Sequence, residues 1–127
     1  MIYLGQPYSD QSPIVMEERY RQGLHAAAYC IDKLNLHVYA PIVHSHHIAE
    51  LLLQMGGEKK AFDYWRKYDI DILRRCDQLR VLCLPGWQES VGLTEEIATA
   101  RAIHLETSYM DMELVDEWLR SRGICTA

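Results

Sequence analysis

Two carboxylates stand where carboxylates are costly. Asp69 falls within a helical stretch in which Phe62, Trp65, Ile72, Leu73 and Cys76 project within about 60° of it at 100° per residue. Asp63, Lys67, Asp71, Arg74 and Arg75 populate the opposite side. A carboxylate on an apolar stripe needs a partner or has a chemical role. Asp69 therefore either pairs with an arginine or caps a loop, or faces a ligand pocket with a perturbed pKa suited to proton transfer. The second carboxylate is Glu96, in the run Ser90-Val91-Gly92-Leu93-Thr94-Glu95-Glu96. Glu95 reads as an acid favouring a helix N-terminus, with Thr94 as N-cap. Glu96 shares a face with Ala100 and Ile103 and points inward. Ser90 is placed to donate to a phosphate or hydroxyl, with loop amides assisting.

Three imidazoles crowd a second segment, at His44, His46 and His47. Neutral imidazoles bind zinc, but the adjacent side chains at 46 and 47 are expected to diverge, and no downstream pattern supplies further ligands. A hydrogen-bonding pocket wall is preferred, with no metal and no cofactor expected. Trp87, beside Pro85-Gly86, is either a lid on the core or a stacking surface for a flat ring. Tyr3 and Tyr8 flank the first loop, Tyr3 half in the core and Tyr8 as a pocket wall.

The elements that must position these groups alternate. Ile2–Gly5 is a short strand, and Ser12-Pro13 opens a helix running to about Leu34. His37–Ala40 is a strand stopped by Pro41, and Ile48–Met55 a short helix ended by Gly56-Gly57. Lys60–Cys76 is a longer helix, and Leu79–Leu84 has the near-continuous apolar character of a central parallel strand. Thr94–Ala102 is helical, Ile103–Glu106 a strand, Asp111–Arg122 a terminal amphipathic helix, and Gly123–Thr126 a possible fifth strand. The pattern predicts an α/β, three-layer, flavodoxin-like doubly wound parallel sheet of 4–5 strands in one domain spanning residues 1–127. Ligands bind such sheets at the carboxyl ends of the strands, which narrows the search to Gln6–Asp10, Pro41–His47 and Pro85–Glu96.

Composition excludes several classes. Thirteen basic against 18 acidic residues give a net charge of −5, which argues against a nucleic acid polymer or an anionic membrane surface as partner. No apolar run approaches the roughly 18 residues of a membrane span. The chain opens on Met1-Ile2-Tyr3-Leu4 without a basic stretch, so no secretory leader is expected. Cysteines at 30, 76, 83 and 125 lack metal-ligand spacing and read as buried free thiols of a cytoplasmic protein.

The whole chain resembles the nucleoside 2-deoxyribosyltransferase superfamily. The likeness is strongest to a bacterial branch carrying Pro-Tyr-Ser after the first strand, a Ser-His segment and Pro-Gly-Trp-x-x-Ser-x-Gly. Here these are Pro7-Tyr8-Ser9, Ser45-His46 and Pro85-Gly86-Trp87-Gln88-Glu89-Ser90-Val91-Gly92. The superfamily's strand start matches Ile2-Tyr3, and its Asp ahead of a small-residue-Asp pair matches Asp69 before Cys76-Asp77. Its polar residue ahead of the nucleophilic Glu matches Ser90 and Glu96, and the small-residue helix that follows matches Ile97-Ala98-Thr99-Ala100. Gln6-Pro7 replaces the small pair common after the first strand, and the His-rich segment and Trp87 are additions.

The resemblance implies cleavage of an N-glycosidic bond, with Glu96 as nucleophile, Asp69 assisting the departing base, and Tyr3 positioning Glu96 or the sugar. Tyr8, His46, Trp87, Ser90 and Gly92 would contact the substrate, a nucleoside or nucleotide. Ser90, where transferases tend to carry a carboxylate, leans toward a deoxynucleoside 5′-monophosphate and hydrolysis. Active sites of the superfamily are often completed by a neighbouring subunit, and Tyr109, Met110, Met112 and Trp118 offer apolar surface, so a homodimer or homotetramer is expected. Two other functions fit the same residues. One is a non-catalytic nucleotide or nucleotide-sugar binding module. The other is a metal hydrolase using His44, His46, His47 and Asp69.

Overall fold

A computed structural model describes residues 1–56 and 62–125, with residue 62 described by its backbone. The chain runs β1 (Ile2–Gly5), α1 (Pro13–Asp32), β2 (Val38–Tyr39), α2 (Pro41–Gln54), α3 (Phe62–Leu73), β3 (Gln78–Leu82), a 3-10 turn (Trp87–Glu89), α4 (Val91–Ala102), β4 (Glu106–Met110) and α5 (Glu113–Ser121). The four strands form one all-parallel sheet in the order β2-β1-β3-β4. Parallel neighbours need crossovers, and the helices supply them on both faces. This is the three-layer, flavodoxin-like α/β architecture expected.

Alternation along the central strands divides the core. Leu4 and Leu82 join Ala26, Cys30, Val115 and Leu119, so α1 and α5 cover one face. Tyr3, Leu79 and Val81 join Leu73, Leu93 and Ala100, so α3 and α4 cover the other. The register Tyr3↔Leu79 and Gly5↔Val81 puts the β1 and β3 side chains of one face level with each other.

Several boundaries differ from expectation for local reasons. Pro41 does not merely stop β2. It occupies the first turn of α2, where its fixed φ and missing N–H cost nothing. The histidine segment is thus helix, not loop. Ser90 rather than Thr94 caps α4, accepting from the Leu93 amide at 3.3 Å. The expected strand Ile103–Glu106 is instead the end of α4, closed by His104 at φ 61°, and β4 begins at Glu106. β3 ends at Leu82, α3 ends at Leu73, and β2 keeps only two residues.

Of the possible fifth strand, Gly123–Cys125 forms none, while Thr126 lies outside the described residues, as do Gly57, Lys60 and Ala61 of the α2 and α3 expectations. All four cysteines are free. Cys30 and Cys76 are buried, Cys83 is half-buried and Cys125 is exposed, contrary to a uniformly buried set. Met110, Met112 and Trp118 pack against the core rather than forming open apolar surface, while Tyr109 is exposed. No helix among the described residues is long and apolar enough to cross a membrane.

Candidate active site

The two carboxylates chosen by helical phase come together on the α3–α4 side of the sheet. Glu96, in the second turn of α4, is 8% exposed. It accepts a hydrogen bond at Oε2 from the hydroxyl of Tyr3, which is fully buried in β1. Gly5 makes room for Leu93 and Leu79 beside it. A Cβ at that position would lie 3.1 Å from Leu93 Cδ1 and 3.6 Å from Glu96 Oε1. Glu95, one residue earlier, turns outward into an ion pair with Arg66.

Asp69 is half-buried on α3, between the buried Leu73 and Cys76 on one side and exposed Asp71, Arg74 and Arg75 on the other. Its Oδ1 is buried and has no hydrogen-bond partner. Among the described residues Asp69 has no ion pair, and this oxygen is left available to a ligand.

The electrostatics follow from burial and proximity. Burial pushes the Asp69 carboxyl up to about 7. Burial, outweighing the Tyr3 hydrogen bond that favours the ionised form, pushes Glu96 up to about 8, with Asp69 and Glu95 adding like-charge repulsion. Burial and the neighbouring Glu96 and Asp69 raise the Tyr3 phenol far above its ordinary range, so Tyr3 stays a hydrogen-bond donor. Asp69, Glu96 and Tyr3 thus share one field. They form a protonatable pair with a fixed hydroxyl, the arrangement in which one carboxyl gives a proton while its neighbour attacks or stabilises charge.

The surrounding residues were expected in part. Tyr8, half-buried, directs its hydroxyl at His46 Nδ1, 2.6 Å away. His46 is buried, and its other ring nitrogen meets Glu17 Oε2 at 2.7 Å. His46 and His47 do not diverge. Their ring centroids are 5.1 Å apart, and both approach Glu50. His44 parts from them, stacking on Tyr68 with its Nε2 2.9 Å from the Tyr68 hydroxyl. A single metal centre drawn from His44, His46, His47 and Asp69 therefore has no support in this geometry. His46, His47 and Glu50 do each bring one ligand atom within 4.8 Å of the others. Trp87 is half-buried against the α3–α4 core and lies 5.7 Å from the Tyr109 ring, closer to a lid than to an open stacking platform. Ser90 spends its oxygen on the α4 cap yet keeps its proton to donate. Gly92 is half-buried in the first turn of α4, where backbone N–H groups lack intrahelical partners.

Sequence reasoning missed Arg19. Its guanidinium donates to the carbonyls of Tyr8 (3.3 Å), Ser9 (3.1 Å) and Pro85 (3.2 Å), cross-bracing the loops that leave β1 and β3. Gly86 is the matching concession. It adopts φ 87°, and a Cβ there would meet Arg19 Nη2 at 3.0 Å. Glu17 reads from the sequence only as an acid near the positive end of α1, and its contact with His46 was missed for the same reason, since tertiary contacts have no local periodicity. An open concavity of about 440 Å³, lined by Arg101, His104, Leu105 and Tyr109 among others, lies along β4 and the end of α4 and includes none of the carboxylate-site residues.

Fold and site together define a small doubly wound α/β protein with an acidic pair, Glu96 buried and Asp69 half-buried, between a strand and two helices. The chain belongs to the DUF1937 family, described as a domain of unknown function, whose pattern matches residues 1–112. No curated protein matches it in sequence.

Proposed function

We propose that this protein cleaves the N-glycosidic bond of a nucleoside or nucleotide, with a deoxynucleoside 5′-monophosphate as preferred substrate and water as acceptor. The observation that carries this is the pair itself. Glu96 and Asp69 come from different helices, burial raises both toward neutrality, and the charge of Asp69 adds to the rise at Glu96. Glu96 attacks C1′ as the C1′–N bond breaks, and the Asp69 carboxyl passes its proton to the departing base. Water then attacks C1′, gives a proton back to Asp69 and frees Glu96 with release of the sugar. Tyr3 holds one Glu96 oxygen, which leaves the other to act. Ser90 and the first-turn amides of α4, Gly92 included, would take the 5′-phosphate. Tyr8, with His46 behind it, and Trp87 would bound the substrate.

In this reading the partner is a small molecule, no cofactor is required, and the protein works in the cytoplasm. It acts as a homodimer or homotetramer. Exposed Leu51, Leu53 and Met55 at the end of α2 and Tyr109 on β4 offer apolar contact surface. A strictly monomeric species by light scattering at micromolar concentration contradicts that assembly. Incubation with a panel of deoxynucleosides and their 5′-monophosphates, followed for free base, tests the activity. Base release that survives Glu96→Ala overturns the assignment of nucleophile. A nucleotide-binding module would instead show thermal stabilisation by a monophosphate with no base released by the wild type.

A further inference from the structure

Outside the carboxylate pair, the most completely specified polar group is the His46 imidazole. It is 4% exposed and stacked on Tyr20, with ring centroids 4.3 Å apart and planes 16° from parallel. Its Nε2 meets Glu17 Oε2 at 2.7 Å and its Nδ1 meets the Tyr8 hydroxyl at 2.6 Å. An ionised carboxylate can only accept, so the hydrogen on this contact belongs to Nε2. The Nδ1 of the neutral ring is then an acceptor, and the Tyr8 hydroxyl must donate to it. Glu17, on α1, with Glu50 Oε2 3.6 Å from the same nitrogen, therefore sets through His46, on α2, which way the Tyr8 proton points. Tyr8 is in turn anchored by Arg19, which holds its carbonyl.

We infer that Glu17, His46 and Tyr8 form a relay that fixes the Tyr8 oxygen as a hydrogen-bond acceptor for an N–H or O–H of the ligand, with Glu17 and His46 as positioning residues. The inference rests on the glycosidase reading for the identity of the ligand and deepens it. Burial denies His46 a ligand contact of its own, whereas half-buried Tyr8 stands on the loop leaving β1 with its oxygen lone pairs uncommitted. A phenol already donating to a carboxylate-backed imidazole is the stronger acceptor for it, because hydrogen bonds in series polarise one another. In a nucleotide the matching donor is either an exocyclic amine of the base or the sugar 3′-hydroxyl.

Two measurements test this. Imidazole ¹⁵N NMR, recorded at a pH above the ordinary histidine range, is expected to show His46 as the Nε2–H tautomer in the wild type and a mixture of tautomers once both nearby carboxylates are neutralised, in Glu17→Gln combined with Glu50→Gln. Glu17 is 53% exposed and Glu50 is also exposed, so this double variant is expected to fold. An Nδ1–H tautomer in the wild type overturns the relay. Calorimetric binding and turnover then compare deoxyadenosine, deoxyinosine and 2′,3′-dideoxyadenosine monophosphates. Tyr8→Phe is expected to raise Kd and KM about tenfold with kcat kept, and the double variant to move KM in the same direction. A base amine as donor removes the penalty with the inosine ligand alone. A 3′-hydroxyl removes it with the dideoxy ligand alone. An equal penalty for all three ligands, no penalty for any, or no binding of any overturns the inference. Binding that shows the ligand-dependent penalty without base release supports the relay and sinks the glycosidase reading alone.

Discussion

In the proposed reading Asp69 and Glu96 carry the chemistry, and their burial has a cost in stability. With values near 7 and 8, the pair holds one proton in that window, resting on Glu96, so the proposed reaction requires that proton to pass to Asp69 before Glu96 attacks. The pH profile of kcat/KM is therefore expected to be bell-shaped with both limbs in this region, and Asp69→Asn to abolish one limb and lower kcat by about 10²–10⁴. A flat profile from pH 6 to 9 contradicts the pairing. Both values lie above the ordinary 3.8 and 4.5, so the folded state binds these protons more tightly than the unfolded chain does. The resulting stability is fully present below about pH 4 and is lost as pH rises through 7 and 8. Glu96→Gln, which removes the buried ionisation but retains an acceptor for Tyr3, is expected to unfold at a higher temperature than the wild type at pH 9. The difference should be on the order of 1–3 kcal/mol, shrinking to near zero at pH 4. A Gln variant less stable than the wild type at pH 9 contradicts the burial assigned to Glu96.

At the scale of elements, Ser90 caps α4 through its oxygen, and in the proposed reading its proton is left to donate to a phosphate. These roles separate in substitution. Ser90→Ala is expected to lose about 1 kcal/mol of cap. Ser90→Asp caps as well as serine but repels a phosphate, so it should keep its melting temperature while KM rises at least about tenfold for monophosphates and little for nucleosides. Equal changes for both ligand types contradict a phosphate at this position. The same helix shows what the chain made legible. Helical phase separated Glu96 from Glu95 and Asp69 from Asp71, because burying an apolar stripe fixes rotation, and the structure has Glu95 outside on Arg66. Phase says nothing about where a helix stops. Ile103 and Leu105 looked like strand because they are apolar, yet they flank the left-handed turn at His104, while the true edge strand contains Glu106 and Ser108 and exposes Tyr109. Pro41 was legible as the end of a strand but not as the start of the helix that carries the histidines.

At the scale of the whole molecule, a four-stranded sheet brings loops from distant parts of the chain to one place, and only tertiary contacts hold them. Arg19 ties the Tyr8–Ser9 loop to Pro85, which lies 66 residues from Arg19 in sequence, and Tyr3 reaches Glu96 across 93 residues. Neither link has a periodic signature. The alternation of elements foretold that the Tyr3 strand and the Glu96 helix meet at the sheet, while the contact of the Tyr3 hydroxyl with that carboxylate followed from the family resemblance, which had Tyr3 position Glu96 or the sugar, and not from any periodicity. The central claim is that Glu96 bonds to the sugar carbon. Its most direct test is mass spectrometry of the protein incubated with 2′-fluoro-substituted deoxynucleoside 5′-monophosphates, in which the electron-withdrawing fluorine slows breakdown of a sugar–enzyme bond. The expected result is a protein mass increased by one fluorosugar phosphate, with the modification mapped to Glu96 and absent from Glu96→Gln. Base release by the wild type with no adduct on Glu96, or an adduct that persists in Glu96→Gln, contradicts the account.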